Sequence, residues 1–435
     1  MNNTITKLQT YSSYKPSGVE WLGDIPEHWE LSRLGVLLNP ISTNNRTDLS
    51  LLSITREKGV ILRDLEDEGA NHNFIPDDLS NYKVLLKGQF GMNKMKAWQG
   101  SYGISDYDGI VSPAYFIFDL DKKMTPEYFH LAIRSKLYVS FFGSASDGVR
   151  IGQWDLSKER MKQIPFLIPS LKEQTDIAQF LDDKTAKIDQ AIAIKQQQIE
   201  LLKERRQILI HKAVTQGINP DVKLKDSGVE WIGEIPEHWE VKRLKDICSI
   251  NLNSLPENTN KNFEFKYVDI GSVSIEKGIC NIEEYTFKNA PSRARRIAKT
   301  GDTIISTVRT YLKAIDFIDE IKSKYIYSTG FAVLQPKEFI YPEFLGNFVR
   351  SDAFTEQVTV NSKGMSYPAI NSTDIGRLTV VHCGYEEQKQ IIEYIETANT
   401  KISTAISLKE QEIEKLKEYK MSLIDGVVTG KVRVS

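Results

Sequence analysis

Two long stretches of the chain carry apolar residues at alternating steps of four and three once two polar positions in each are counted in phase. The first runs through Ile188, Ile192, Ile199, Leu202, Leu209 and Ala213, and the second through Ile402, Ile406, Ile413, Leu416, Leu423 and Val427. That spacing predicts two long helices that pack along an apolar seam. The seam is interrupted at matching places, by Lys195 and Arg206 in one helix and by Lys409 and Lys420 in the other. A polar residue at a seam position fixes register rather than adding stability. Ser170 follows Pro169 and lies three residues before Glu173, the pattern of a capping box at a helix start, whereas the second copy has Gly384 there, a weaker cap.

The helices belong to an internal duplication with a period of about 210 residues. Ser17 to Leu34 reads SGVEWLGDIPEHWELSRL and Ser227 to Leu244 reads SGVEWIGEIPEHWEVKRL, identical at 14 of 18 positions. A second block pairs Glu173 to Thr215 with Glu387 to Thr429. Between the blocks the match is loose: Gly88 to Lys96 aligns with Gly301 to Arg309, and Pro126 to Ser135 with Pro342 to Ser351. Short apolar runs at Tyr115 to Phe118, Thr303 to Ser306 and Gly330 to Leu334 read as strands, punctuated by Gly, Asn, Asp and Pro. The expected fold class is mixed α/β (α+β): two pseudo-repeated globular domains, residues 1–165 and 219–382, separated by long coiled-coil helices in residues 166–218 and 383–435.

A scaffold that repeats faithfully while its attached domains diverge presents two different surfaces. Double-stranded DNA is the natural ligand of such a device. A helix of about 40 residues is about 60 Å long, more than one duplex turn of about 34 Å. Composition adds one constraint. The 56 Lys and Arg are balanced by 58 Asp and Glu, a net charge of -2, so a DNA-binding surface must be local. Hydrophobic residues make up 40%, enough for a core in each domain, and no run of about 18 apolar residues and no leader-like start is present. The expected compartment is the cytoplasm, without a membrane partner. Cys248, Cys280 and Cys383, odd in number and widely spaced, read as reduced thiols.

The WxGxIPxHW opening, the IP followed by EQ at the helix entrance, and the exit from LKE to VT resemble the specificity subunits of type I restriction-modification systems, over essentially the whole chain. The resemblance implies that each half supplies one target-recognition domain and one conserved helix, that the helices pack antiparallel and set the spacer, and that each domain reads one part of a split target. It further implies two modification subunits, which carry S-adenosylmethionine chemistry at adenine N6 and dock on this chain. Two restriction subunits driven by ATP and Mg would complete the complex. No cofactor, metal or catalytic residue is expected in this chain.

Basic residues concentrate at matching places in the divergent domains. Asn81 to Gly100 holds Lys83, Lys87, Lys94 and Lys96 and no acid, with Tyr82, Phe90 and Trp98 interleaved; the equivalent stretch has Arg293, Arg295, Arg296, Lys299, Arg309 and Lys313. Such clusters suit phosphate contacts, and arginines can also hold guanine edges; the competing assignment is a solvated basic face. Two polar Gly-containing loops, Ser146 to Trp154 and Ser362 to Tyr367, offer Arg150, Gln153, Lys363, Ser366 and Tyr367 as base or backbone readers, or serve only as connections. Trp21, Trp29, Trp231 and Trp239 lie in the near-identical blocks and read as core anchors, and His28 and His238 with them, since neither has a partner at metal-ligand spacing.

Cofactor motifs are missing. Gly426 to Lys431, GVVTGK, has the wrong spacing for a phosphate loop, no GxGxxG occurs, and Asn39 Pro40 Ile41 lacks the second proline and the aromatic of an adenine methyltransferase motif. A self-contained nuclease or methyltransferase is thereby disfavoured. A coiled-coil scaffold whose domains bind proteins stays open, and suits the near-neutral charge. A DNA reader loses affinity steeply with salt, and a protein scaffold does not bind duplex at all.

Overall fold

The computed structural model describes residues 9–64, 75–150, 153–275, 277–364 and 366–434. The chain divides into two compact units, Met1–Lys195 together with Glu410–Ser435, and Gln196–Lys409. The predicted helices are the longest elements, Leu171–Gln216 with 46 residues and Tyr385–Val428 with 44.

The first unit holds two four-stranded sheets. One runs Leu38–Ile41, Phe116–Leu120, Phe90–Met92, Tyr102–Ile104, antiparallel throughout. The other runs Gly59–Leu62, Ser50–Thr55, Gly109–Val111, Lys83–Leu85, and its central pair is parallel. The second unit repeats both patterns: Cys248–Ile250, Phe331–Pro336, Thr303–Ser306, Ile315–Phe317 form the antiparallel sheet. Glu283–Thr286, Glu264–Val268, Ile326–Ser328, Ala294–Ile297 form the mixed one, again with a parallel central pair. Regions that align poorly in sequence thus share strand order and direction. The expected strand at Tyr115 to Phe118 forms as Phe116–Leu120, the one at Gly330 to Leu334 as Phe331–Pro336, and Thr303–Ser306 forms at its expected bounds.

Each unit closes its core with a piece of both helices. In the first, Leu423, Val427 and Val428 pack with Ile177, Leu181 and the aromatic group of Phe90, Tyr102, Phe129, Phe142 and Phe166. In the second, Ala213 and Val214 pack with Ile391, Ile392 and Ile395 against Trp239, Phe344 and Phe348. Of the seam residues, Ile188, Ile199, Ile402, Ile413 and Leu423 are buried, while Ile192, Leu202, Leu209, Ile406 and Leu416 are half-buried.

Within each unit the two helical segments run antiparallel. In the first, Lys195 Nζ meets Glu412 at 2.6 Å and Lys420 Nζ meets Asp189 at 2.6 Å. In the second, Arg206 donates to Ser403 Oγ at 2.8 Å. Lys195, Arg206 and Lys420, three of the four polar interruptions, thus make cross-helix bonds that are satisfied only when the helices are in register. Exposed pairs of this kind add little net stability, so alignment is their main effect.

The EQ pair at each helix start explains why it repeats. Gln174 is fully buried; its amide donates to Lys123 O at 2.7 Å and Pro169 O at 3.0 Å and accepts from Thr125 N at 2.8 Å. Gln388 does the same with Phe339 O, Cys383 O and Tyr341 N. Ser170 Oγ caps the first helix through Glu173 N at 3.3 Å, but the capping box is not reciprocal, because the Glu173 carboxylate turns to Tyr11 OH at 2.6 Å and His28 Nε2 at 3.0 Å. Gly384 serves through its backbone, its carbonyl accepting from Gln388 N.

Two assignments made from the sequence are corrected. Trp29 and Trp239 are fully buried and Trp231 half-buried, but Trp21 is 59% exposed. His28 and His238 are not core residues either: their rings are largely exposed and bind Glu173 and Glu387, acid partners from the far-off helix starts that local spacing does not reveal. Both helices end on a left-handed glycine against the buried tryptophan. Gly217 (φ 75°) lies by Trp239, and Gly430 (φ 74°) lies by Trp29 and so near Pro26 that an added Cβ would come within 2.3 Å of its ring.

Candidate nucleic-acid interface

In the first unit two separate stretches of the sequence meet. The loop that carries Lys94 and Lys96 leads into a short turn, Ala97–Gln99, and the hairpin of Ser146–Arg150 with Gln153–Leu156 lies against it. Trp154 N donates to Met95 O at 3.4 Å and Leu156 N to Lys94 O at 3.3 Å. The Trp98 and Trp154 rings stack with centroids 5.0 Å apart and planes 22° apart. Lys94 Nζ sits 3.3 Å from Asp155, which ties the loop to the hairpin. Lys96 is exposed and its side chain has no partner among the described residues.

Other basic candidates of this unit lie apart from that platform. Lys83 Nζ donates to Tyr115 O at 2.7 Å, and burial, with nearby Lys158, holds its ammonium below the usual lysine range. It supports the fold rather than offering a free charge. Lys87 is exposed, on a turn whose backbone is fixed by Asp108. The side chains of Arg150 and Gln153 lie outside the described residues.

The second unit builds an equivalent platform from Thr307–Lys313 and Ser362–Ile370. Ile370 N donates to Thr307 O at 2.8 Å, Thr310 Oγ1 pairs with Ser362 Oγ at 2.8 Å, and Val308 bridges Ala369. Arg309 is exposed, its guanidinium 5.2 Å from the Tyr367 ring centroid. Lys363, Ser366 and Tyr367 are all exposed, so the loop presents polar and aromatic groups together.

Lys313 departs from the expected role. Its ammonium lies 3.4 Å from Asp352 and 3.2 Å from Glu356, so it is spent on two internal acids and is not a free phosphate ligand. Arg293, Arg295 and Arg296 form a separate group on and before Ala294–Ile297. Arg293 is exposed; Arg295 lies 4.4 Å over the Phe287 ring; Arg296 is half-buried at a bulge, and burial holds its guanidinium below its usual range.

The sequence reading missed Trp154, Lys158 and Tyr311. Trp154 stands in the quoted hairpin stretch but its stacking on Trp98 joins residues 56 apart. Lys158 Nζ sits 4.6 Å over the Phe116 ring, and Tyr311 is 56% exposed; nothing in the local pattern separates these from ordinary surface or core residues. Cys248 and Cys383 are buried, and burial pushes the Cys248 thiol up to about 12, so neither is a reactive group. Among the described residues no cluster of His, Cys, Asp and Glu could hold a metal ion, and no helix is long and apolar enough to cross a membrane.

Two divergent loop platforms on a twice-repeated helical scaffold define a modular two-part recognition protein. The type I restriction modification DNA specificity domain family matches residues 90–204 and 236–418, more than half of the chain, and the chain belongs to that family. It is similar to the type I restriction enzyme MjaVIII specificity subunit of Methanocaldococcus jannaschii, 27% identical over 309 residues, 69% of either chain. In fold it resembles a chain solved in work on complex assembly and conformational transition of the type I R-M system, with TM-score 0.64, 16% identity and coverage of 93% of this chain and 98% of that one. It also resembles the HsdS subunit from Thermoanaerobacter tengcongensis, with TM-score 0.53, 16% identity and coverage of 94% and 98%.

Proposed function

We propose that this chain is the DNA-recognition subunit of a type I restriction-modification complex and works without a catalytic site of its own. Residues 1–165 and 219–382 act as target-recognition domains, each reading one part of a split duplex target. The helices within 166–218 and 383–435 set the spacer and dock the modification subunits. Two modification subunits supply S-adenosylmethionine chemistry, two restriction subunits supply ATP- and Mg-dependent cleavage, and the assembly works in the cytoplasm.

The carrying observation is that most residues repeated almost identically serve helix entrances and cores, while exposed and half-buried basic and aromatic side chains gather on the two divergent platforms. On the first, Lys94, Lys96 and Trp98 stand with the hairpin that bears Arg150 and Gln153. On the second stand Arg309, Lys363, Ser366 and Tyr367. Lys87 and Arg293 add phosphate contacts away from the platforms, and Arg295 and Arg296 a separate basic edge.

A hybrid in which residues 39–163 are replaced by those of a relative tests this reading. The hybrid complex is expected to change one half of its target and keep the other, measured by sequencing methylated positions. Change in both halves, or binding that does not fall with rising salt, would overturn it.

A further inference from the structure

We propose that Arg309 reads a guanine edge in the half-site contacted by the Gln196–Lys409 unit, with the Tyr367 ring as the platform that orients its guanidinium. The proposal rests on the recognition function above and adds to it a base and a reader.

The backbone singles out this turn. Among the described residues four non-glycine positions have positive φ: Asn45, Asn251, Arg309 at 50° and Lys313 at 45°. Asparagine tolerates that region; Arg and Lys do so only when the surroundings impose it. Arg309 and Lys313 bracket one short turn, Thr310–Leu312. The surroundings do impose it: Thr310 is fixed through Ser362, Ile370 N through Thr307 O, and Lys313 Nζ through Asp352 and Glu356. Such outliers, observed first, point to a positioned functional group.

The group so positioned is Arg309. It is exposed, has no acidic partner among the described residues, and lies 5.2 Å from the centroid of the Tyr367 ring, itself 66% exposed. A guanidinium against an aromatic face keeps its planar fork of N–H donors directed outward. That fork matches guanine O6 and N7; it also fits a phosphate, and the salt slope in the test below separates the two. Tyr311 and Leu312 beside it are 56% and 40% exposed, an apolar rim that suits packing on base and sugar edges. Asp352 and Glu356 already have Lys313 as a cationic partner. At the aligned position of the first unit stands Lys96, with no ring beneath it among the described residues, so this mode belongs to the second unit.

The test uses the full chain assembled with the modification subunits of its own system and duplexes randomised over both half-sites, with the retained DNA sequenced. Wild type is expected to select guanine at a position of one half-site. Arg309→Gln and Arg309→Gly should lose that preference by about tenfold or more, leaving the other half-site and the slope of log affinity against log salt unchanged. Arg309→Gly keeps the test sound, because glycine accepts this φ. Tyr367→Leu should weaken preference at the same position only. Retained guanine preference in both Arg309 variants, or uniform weakening with the salt slope reduced by about one, would overturn the assignment, as would a selected half-site without guanine. A wild-type complex that selects no sequence would instead overturn the recognition function itself.

Discussion

His28 Nε2 lies 3.0 Å from Glu173 Oε2, and His238 Nε2 lies 3.0 Å from Glu387 Oε2, the same contact made twice across 145 and 149 residues of chain. It joins the block that opens each half to the helix that leaves it. Next to each Glu, the buried Gln174 or Gln388 fixes the domain to the same helix start. Gln174→Ala would leave three backbone groups without a partner, each costing about 1–3 kcal/mol when buried. The first unit is expected to lose about 2–4 kcal/mol in all, part of the cost being relieved by water. Faster hydrogen exchange in residues 118–135, with residues 330–350 unchanged, would show it; Gln388→Ala should give the reverse.

His130 in the first unit and Asp302 in the second contribute acid dependences of opposite sign. Burial pushes the His130 imidazole down to about 4, and its Nδ1 accepts from Ile104 N at 3.2 Å. The unfolded state then binds more protons at this group between about 4 and 6.5, so the His130 contribution weakens the first unit as pH falls through that window, by on the order of 3 kcal/mol. Burial pushes the Asp302 carboxyl up to about 6 from 3.8, so here the folded state binds more protons and the second unit weakens as pH rises between those values. Asp302→Asn should flatten the second dependence alone. Hydrogen exchange of each unit against pH, with and without Asp302→Asn, is the measurement, and an unchanged slope in the second unit of the variant would contradict it.

Lys96 and Lys313 separate a free cation from an engaged one. Lys96→Ala in the assembled complex should reduce the slope of log affinity against log salt by about one. Lys313→Ala should leave that slope nearly unchanged while loosening the Thr307–Lys313 turn, because its ammonium already faces Asp352 and Glu356. Equal slope changes would mean that Lys313 leaves its acids for phosphate.

Gly430→Ala should harm the first unit more than Gly217→Ala harms the second. Both glycines have φ near 75°, where a side chain costs about 1–2 kcal/mol. At Gly430 the new Cβ also meets Pro26 Cδ at 2.3 Å, whereas at Gly217 the nearest atom is Trp239 Cζ2 at 3.3 Å. Urea midpoints followed separately for each unit would rank the two.

The seam, the long helices and the duplication were legible because period and repeat are local properties of a sequence. The shared strand order was not: Lys83–Leu85 and Ala294–Ile297 occupy the same sheet position with no matching residues, since a strand there needs only a pattern that fits its sheet. Charge type was legible and engagement was not. Lys83, Lys96 and Lys313 look alike in sequence, yet one holds a carbonyl, one is free among the described residues and one holds two acids. Trp21 and Trp29 occupy one repeated block, yet Trp29 joins the core of the first unit and Trp21 is 59% exposed, a difference that residue type does not reveal.

The make-up of the first unit sets an order of events during synthesis. Gln196–Lys409 is continuous and can fold once made, but Met1–Lys195 must wait for Glu410–Ser435, whose Leu423, Val427 and Val428 complete its core and whose Arg433 N bonds back to Gln9 O. The half translated first is thus the half finished last. A nascent chain carries its N-terminal apolar surface incomplete through more than two hundred residues of elongation, and a stop codon that removes Glu410–Ser435 would cripple the first unit.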